Sequence, residues 1–142
     1  MTELLLPLPL VTVIIPCHNK ADTIAHTISS VRVQTLNNLE CYVLNDSSTD
    51  ESEEIILATI KDDARFYYGK LSCQNVADVR NAGARLAKGI FLNFIDGDDW
   101  IEPTFLEMCV KFLLEDQSLG VAYTALRWYD SATGKSEVSA WP

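Results

Sequence analysis

The sequence predicts an α/β fold in which a mostly parallel sheet carries helices on both faces, a Rossmann-like architecture. Two observations predict it. Short apolar runs rich in β-branched residues recur along the chain, and segments whose apolar residues return every three or four positions separate them. Parallel strands need long crossovers, usually helical, so this alternation favours parallel pairing. At 142 residues the chain has the size of one domain, expected over 11–142 after an extended lead-in at 1–10.

The predicted strands are short apolar runs that end at polar or turn residues, and they lie at 11–16, 39–44, 65–68, 90–95 and 120–126. The first is a continuous β-branched run ending at Pro16, so it is expected in the centre of the sheet, buried on both faces. The run at 90–95 is expected to be buried in the same way. Thr133 and Gly134 are expected to form a turn near the end of the chain.

The predicted helices lie between these strands, at 19–34, 48–60, 79–89 and 103–114. Asn19 is expected to cap the first helix. Ser48 and Glu51 have the spacing of a capping box, which predicts the start of the second helix. Gly89 is expected to end the third helix, and Pro103 suits the first turn of the fourth.

The composition bounds the partners and the location. A formal net charge of −9 argues against DNA or RNA as a partner, because such binding relies on Lys and Arg to neutralise phosphates. The four cysteines are widely spaced without a CxxC pair, which is typical of reduced, partly buried thiols. The leader at 1–10 is too short to cross a bilayer, so no membrane segment is expected in this chain. These features favour a cytoplasmic location, or one at the inner face of the membrane in a full-length protein.

Polar clusters follow three of the predicted strands, at 17–19, 45–48 and 96–99. Ligands of open parallel sheets bind at the carboxyl ends of the strands, so these clusters are the expected site. Asp96 and Asp98 are spaced so that a tight loop could aim both carboxylates at one point. Oxygen ligands of this kind suit Mg²⁺ or Mn²⁺, which often carries a diphosphate. The alternative is an ordinary Asp- and Gly-rich turn.

Three other residues have two interpretations each. Asp46, at the tip of the second strand, could accept a hydrogen bond from a nucleotide base or could cap the next helix. Arg80 could pair with a phosphate or lie near a base, but it could also be a solvated surface residue. His18 could lie against a planar base or be a loop histidine.

Four segments carry a resemblance to a known family, and they read VIIPCHN at 13–19, LNDSSTD at 44–50, RNAG at 80–83 and FIDGDDW at 94–100. Together they resemble the successive motifs of family-2 glycosyltransferases, which are inverting enzymes of GT-A fold. The match extends over about 11–126. The resemblance implies that this chain is the nucleotide-sugar-binding half of such an enzyme.

The resemblance also implies roles for individual residues. The donor-binding positions would be Pro16, His18, Asn19, Asp46, Arg80 and Asp96. Among them, Asp46 would bind the base and Asp96 would approach the ribose. The acidic loop resembles the family's DXD motif, in which Asp98, together with Asp96, would hold Mn²⁺ or Mg²⁺ on the diphosphate.

This chain departs from the family pattern at three positions. An acid pair usually ends the second strand, whereas Asn45 precedes Asp46 here. The Gly that usually follows is Ser47, and His18 replaces a more typical Tyr. Any role of a charge at position 45 is therefore lost.

The implied function is metal-dependent transfer of a sugar from a nucleotide-diphosphate donor, a UDP-sugar, to a hydroxyl of a sugar or lipid-linked acceptor with inversion. Cell-surface polysaccharide biosynthesis is the expected context. The general base is expected in sequence beyond Pro142, with Asp130 the one substitute within the chain. Alternatives are a nucleotide-binding module without catalysis and a phosphatase of the haloacid dehalogenase type, in which the first Asp of the acidic loop would be the nucleophile.

Overall fold

The computed structural model describes residues 8–139, which divide into two compact units at 8–106 and 107–139. Most of the predicted lead-in, residues 1–7, lies outside the described residues, and residues 8–10 have no regular secondary structure. In the part of the chain that is described, no helix is long and apolar enough to cross a membrane.

The first unit contains a four-stranded parallel sheet in the order β3-β2-β1-β4. Its strands are β1 (Val11–Cys17), β2 (Leu39–Asp46), β3 (Phe66–Leu71) and β4 (Phe91–Phe94). All seven residues of β1 are buried, as expected for a central strand with apolar side chains on both faces. The prediction of a mostly parallel sheet is confirmed.

Helices α1 (Ile24–Arg32), α2 (Ser52–Ile60) and α3 (Val76–Leu86) connect the strands. The chain moves outward from β1 to β2 to β3 and then returns past β1 to β4. Right-handed crossovers therefore place α1 and α2 on one face of the sheet and α3 on the other. In agreement, α1 packs on α2, whereas α3 packs on β1 and β2. The fourth helix, α4 (Phe105–Glu115), follows β4.

Glycine lets α3 and its following turn approach the sheet closely. A Cβ at Gly83 would lie 2.6 Å from the Cγ2 atom of Ile14, which is fully buried in β1. A Cβ at Gly89 would lie 2.4 Å from the backbone nitrogen of Thr12. The core of the unit, where Ile14 meets Leu44 and Val79, therefore depends on residues without side chains at these contacts.

A buried polar bridge holds the amino-terminal ends of the strands, and we call it the Glu40 bridge. The Oε1 atom of Glu40 accepts hydrogen bonds from Thr12 Oγ1 and from the Lys88 backbone N–H, each 2.7 Å long. The Gly89 backbone N–H donates to Thr12 Oγ1 over 2.9 Å. Glu40 is only 5% exposed, so these bonds compensate for burying its polar side chain.

Both predicted helix N-caps are wrong, and α3 ends at Leu86 and not at Gly89. Helix α1 begins at Ile24 and its N-cap is Thr23, because Asn19 has a left-handed backbone with φ of 52° and cannot begin a helix. Helix α2 begins at Ser52, and the Ser48 hydroxyl accepts a hydrogen bond from Asn19 instead of capping it. Its end at Ile60 is as predicted.

Two strand predictions also need correction. The run at 90–95 is not buried on both faces, because β4 lies at the edge of the sheet and leaves Leu92 and Phe94 about 45% exposed. No strand forms at 120–125. Instead β5 (Leu126–Tyr129) and β6 (Ser136–Ser139) pair as an antiparallel hairpin in the second unit. The predicted turn is confirmed within this hairpin, where Gly134 has a φ of 69°.

Candidate nucleotide-sugar site

A cavity of about 690 Å³ opens at the carboxyl ends of the strands in the first unit. Its lining residues come from the last residues of β1 and β2, the loops after β1 to β4 and the first two turns of α3. They are Pro16, Cys17, His18, Lys20, Asp46, Ser47, Gln74, Asn75, Val76, Val79, Arg80, Asp96, Gly97 and Asp98. The strand order changes direction between β1 and β4, so the cavity lies where open α/β sheets bind ligands. Six of the seven predicted site residues line it, and Asn19 does not.

Asn19 instead joins the loops that follow β1 and β2. Its backbone N–H donates to the Ser48 hydroxyl over 3.0 Å, and its side-chain oxygen accepts from the Thr49 backbone N–H over 2.8 Å. Three non-glycine residues at this end of the sheet have left-handed backbones, namely Asn19, Ser47 and Gln74. Such strain persists only where the surroundings hold it. At Ser47, which stands where the family usually has Gly, the hydroxyl donates to the Leu71 carbonyl over 3.1 Å.

Asp46 is buried at the tip of β2, with 6% of its surface exposed. Its Oδ1 atom accepts a hydrogen bond of 2.6 Å from the Cys73 backbone N–H. Its backbone carbonyl accepts a 2.6 Å hydrogen bond from Nδ1 of His18. This carbonyl can only accept, so the proton is on Nδ1, and Nε2 accepts from the Asn19 side-chain amide at 3.3 Å. Two hydrogen bonds therefore orient the ring of His18, which lines the cavity.

Asn45, the departure from the family's acid pair, is a buried structural residue. Its amide nitrogen donates to the Tyr68 hydroxyl over 3.2 Å, and its side-chain oxygen accepts from the Ser48 backbone N–H over 3.1 Å. An amide can donate and accept at once, whereas an ionised carboxylate can only accept. Asn at position 45 thus satisfies both neighbours without a buried charge.

Arg80 and Asp96 form an ion pair at the cavity wall. Arg80 is in the second turn of α3, and its Nη2 atom lies 2.5 Å from Oδ1 of Asp96, just after β4. The Nε atom of Arg80 is buried and has no hydrogen-bond partner among the described residues. A buried donor without a partner is costly, so this N–H is a group that a bound ligand could satisfy.

Lys20 and Asp98 form a second ion pair, with 2.6 Å between Nζ and Oδ2. The hydrogen bond to Asp98 raises the pKa of Lys20, and the charge of Asp96 adds to this effect. The sequence interpretation missed Lys20. The available signal was its place directly after Asn19, in a loop at the same sheet edge as the acidic loop.

The two predicted metal ligands of the acidic loop each form an ion pair with a protein cation, Asp96 with Arg80 and Asp98 with Lys20. No cluster of three or more His, Cys, Asp or Glu positioned for a metal occurs within residues 8–139. The loop nevertheless crowds negative charge. Partial burial raises the pKa of Asp99, and the charges of Asp98 and Asp96 raise it further. Exposed carboxylate oxygens under mutual repulsion fit a hard divalent cation, which would take its remaining ligands from phosphate and water.

Asp130, the substitute base, belongs to the second unit. There its carboxylate accepts hydrogen bonds from the Thr133 hydroxyl at 2.7 Å and from the Ala132 backbone N–H at 2.9 Å. These bonds lower the pKa of Asp130. The residue closes the hairpin turn, which is a structural role.

The chain is similar in sequence and in fold to known glycosyltransferases. Chondroitin synthase of Pasteurella multocida (strain Pm70) is 34% identical over 120 residues, which are 84% of this chain and 12% of that protein. The structure of S. aureus TarS 1–349 in complex with UDP-GlcNAc superposes with a TM-score of 0.69 and 25% identity, over 75% of this chain and 32% of that one.

A third protein shares the fold at lower identity. The mannosyltransferase PcManGT from Pyrobaculum calidifontis, in complex with GDP-Man and Mn²⁺, gives a TM-score of 0.61 and 24% identity over 65% of this chain and 28% of its own. The chain thus spans about a third or less of each of these proteins. Residues 12–141 match the family model for glycosyl transferase family 2. This match includes all four motifs and the whole cavity, and the chain belongs to glycosyl transferase family 2.

Proposed function

We propose that this chain is the donor-binding part of an inverting glycosyltransferase that transfers a sugar from a UDP-sugar to an acceptor hydroxyl. The observation that carries the proposal is the convergence of Asp46, Arg80, Asp96 and Asp98 on one cavity at the strand ends. Family membership and the UDP-GlcNAc bound by TarS support a nucleotide-sugar ligand. The family assignment also argues against the phosphatase alternative.

In this proposal the buried end of the cavity binds the base. Asp46 is held by the Cys73 N–H, so its carboxylate is positioned to accept a hydrogen bond from a base N–H. The ring of His18, which is hydrogen-bonded to the Asp46 carbonyl, offers a planar face in the same cavity. Pro16 forms part of the floor, and the unpartnered N–H of Arg80 faces a ligand acceptor. Asn19 acts by holding the loop that positions His18, not by touching the nucleoside.

The diphosphate would lie at the acidic loop, where Asp98 and Asp96 would hold Mn²⁺ or Mg²⁺. When bound, the cation supplies Lewis-acid stabilisation of the negative charge on the leaving diphosphate. The Mn²⁺ in the complex of PcManGT supports a divalent ion in this fold. In the structure one oxygen of each carboxylate is paired with a protein cation, Asp96 Oδ1 with Arg80 and Asp98 Oδ2 with Lys20.

The general base is not among the carboxylates that line the cavity. Asp46 accepts a hydrogen bond from the Cys73 N–H, and Asp96 and Asp98 form ion pairs with Arg80 and Lys20. We therefore propose that the base and the acceptor pocket lie outside residues 8–106, in a longer protein. The same observation favours a second candidate, a nucleotide-binding module without transferase activity. Acceptor-dependent release of UDP from a UDP-sugar separates the two.

The acceptor we propose is a hydroxyl of a sugar or a lipid-linked sugar in the synthesis of cell-surface polysaccharide. The name of the chondroitin synthase supports a polysaccharide product. The four cysteines are free thiols, and three of them are buried, which fits a reducing cytoplasmic location.

Calorimetric titration of the 142-residue chain with UDP, in Mn²⁺ and then in EDTA, tests the proposal. We expect Mn²⁺ to tighten UDP binding by about 5- to 150-fold, the usual range of coupling between two ligands. Asp98→Asn should remove most of that dependence and leave the circular dichroism spectrum intact. Asp46→Ala should weaken UDP but leave inorganic pyrophosphate with Mn²⁺ unchanged. Equal UDP affinity in Mn²⁺ and EDTA would contradict the metal role.

A further inference from the structure

Lys20 has a fixed backbone and an adjustable side chain. Its backbone N–H donates to the Ser52 hydroxyl over 2.8 Å, and its carbonyl accepts from the Thr23 and Ile24 N–H groups over 3.0 and 2.9 Å. The side chain, by contrast, is 36% exposed and held only at its charged end by Asp98. Four methylene groups can therefore move the ammonium group without moving the fold.

Gly97 provides the path for this side chain. A Cβ at Gly97 would lie 3.3 Å from Cγ of Lys20 and 3.1 Å from the Pro16 carbonyl oxygen, which is tighter than ordinary contact. The lysine stem therefore passes over the glycine between the two acids of the loop. The Thr23 hydroxyl donates to the Gly97 carbonyl over 2.9 Å and keeps the loop at this distance. Lys20 and the acidic loop are thus built to stay adjacent.

The charges of the cavity indicate why a mobile cation is placed there. The lining contains three carboxylates, Asp46, Asp96 and Asp98, and two cations, Lys20 and Arg80, which leaves one net negative charge. A diphosphate entering this cavity alone meets repulsion. A divalent cation would reverse the sign to one net positive charge, and it would compete with Lys20 for the carboxylate of Asp98, whose Oδ2 atom pairs with Nζ.

We propose that Lys20 is an exchangeable counter-ion of the donor site. It neutralises Asp98 in the metal-free protein, and it transfers to the diphosphate of the nucleotide when a divalent cation takes Asp98. This inference rests on the proposed function, because it requires a nucleoside diphosphate in the cavity. It assigns to Lys20 a phosphate-binding role and to the ion pair with Asp98 the role of a placeholder for the metal.

The experiment compares Lys20→Met with wild type and with a matched control, Lys70→Met. Lys70 also lies 2.6 Å from a carboxylate oxygen, Oε2 of Glu53, but it does not line the cavity. Three affinities are measured for each chain: Mn²⁺ without nucleotide, from the electron paramagnetic resonance signal of free Mn²⁺, and UDP and uridine in saturating Mn²⁺, by calorimetry. Circular dichroism and thermal melting verify folding.

The proposal expects effects of opposite sign. Lys20→Met should bind Mn²⁺ alone about threefold more tightly, since a partly exposed ion pair no longer competes. It should bind UDP in Mn²⁺ about tenfold more weakly, the size of a lost hydrogen bond to a charged group, with uridine unchanged. Lys20→Arg, which keeps the charge, should bind UDP within about threefold of wild type. Lys70→Met should match wild type in all three titrations.

Other results would overturn the inference. If Lys20→Met folds, tightens Mn²⁺ and leaves UDP unchanged, Lys20 only shields Asp98 and does not reach the phosphates. If it weakens uridine as much as UDP, or if Lys20→Arg is as weak as Lys20→Met, its effect comes from the shape of the loop. A wild-type chain that binds no UDP with or without Mn²⁺ would overturn the proposed function and this inference together.

Discussion

The strands of the two units differ in how far their apolar side chains are buried. In residues 8–106 the central strand β1 is buried at every position, and the cavity with its charged residues lies at the carboxyl ends of the strands. In residues 107–139 both hairpin strands are exposed at all positions but one, although they include Leu126, Trp128, Tyr129 and Val138. A site that must hold charged groups in place is therefore carried by the unit with the rigid, buried sheet.

The largest difference between the units should appear on truncating one side chain in each. Ile14→Ala removes a fully buried side chain from β1, where Leu44 and Val79 pack against it, and should lower the free energy of unfolding by about 2–5 kcal/mol. Val138→Ala changes a residue that is 55% exposed and should cost less than about 0.5 kcal/mol. Urea denaturation followed by circular dichroism measures both. Equal losses would show that Val138 is buried in solution.

Glycine substitutions in the two units should give a smaller difference in stability than the core truncation. Gly89→Ala places a Cβ against the backbone of Thr12, so we expect a loss of about 1–3 kcal/mol or more from overpacking. Gly120→Ala meets no atom within 4 Å and its φ is outside the left-handed region, so it should be neutral or stabilise by about 0.4–1 kcal/mol. The melting temperatures of the two variants and of the wild-type chain measure these effects. A neutral Gly89→Ala would mean that the turn can move away from the sheet.

The smallest difference concerns two aspartates with lowered pKa values. The Arg65 hydrogen bond lowers the pKa of Asp63, and the Thr133 hydroxyl lowers that of Asp130. A lowered carboxyl pKa contributes stability above the ordinary value of about 3.9 and loses it as the pH falls through the folded-state value. Asp63→Asn should therefore cost up to about 1 kcal/mol at pH 7, typical of a screened ion pair.

That cost should begin to fall below about pH 4, where the unfolded chain starts to bind the proton, and it should vanish once the pH is below the lowered folded-state pKa. Asp130→Asn, in an exposed turn, should leave the main unfolding transition unchanged at both values of pH. Unfolding of both variants and wild type at pH 7 and pH 3 is the measurement. A cost for Asp63→Asn that is independent of pH would assign its effect to hydrogen-bond geometry and not to charge.

The sequence predicted those strands and helices whose local pattern of apolar residues is enough to define them. The strand β1 was predicted from its continuous β-branched run, and the end of α2 at Ile60 agrees with the predicted helix at 48–60. The run at 90–95 looks the same as β1 in sequence, yet its strand is at the sheet edge, because strand order depends on the whole topology. The segment 120–126 was predicted as a strand for its apolar residues, but the turn at Gly134 sets the hairpin further along the chain.

In the candidate site, too, contacts between residues far apart in the sequence could not be predicted from local patterns. Asp46, Asp96 and Asp98 were found because residues at strand ends must meet at one edge of a parallel sheet. Asn19 was misread as a cap, because its partners Ser48 and Thr49 are about 30 residues away and leave no local signal. Lys20 was missed for the same reason, since a lysine in a polar loop resembles a solvated residue until Asp98 is placed beside it.

The Glu40 bridge gives the two ends of the sheet different responses to ionic strength. At the amino-terminal end the side chains of Thr12 and Glu40 are buried, so dissolved salt screens the bridge little. At the carboxyl end Asp96 and Asp98 are each 47% exposed, within reach of dissolved salt. Because the Debye length falls from about 10 Å at 0.1 M to about 3 Å at 1 M, salt weakens the second set of contacts and spares the first. Raising the ionic strength should therefore weaken the ion pairs of the acidic loop and leave the hydrogen bonds of the Glu40 bridge unchanged.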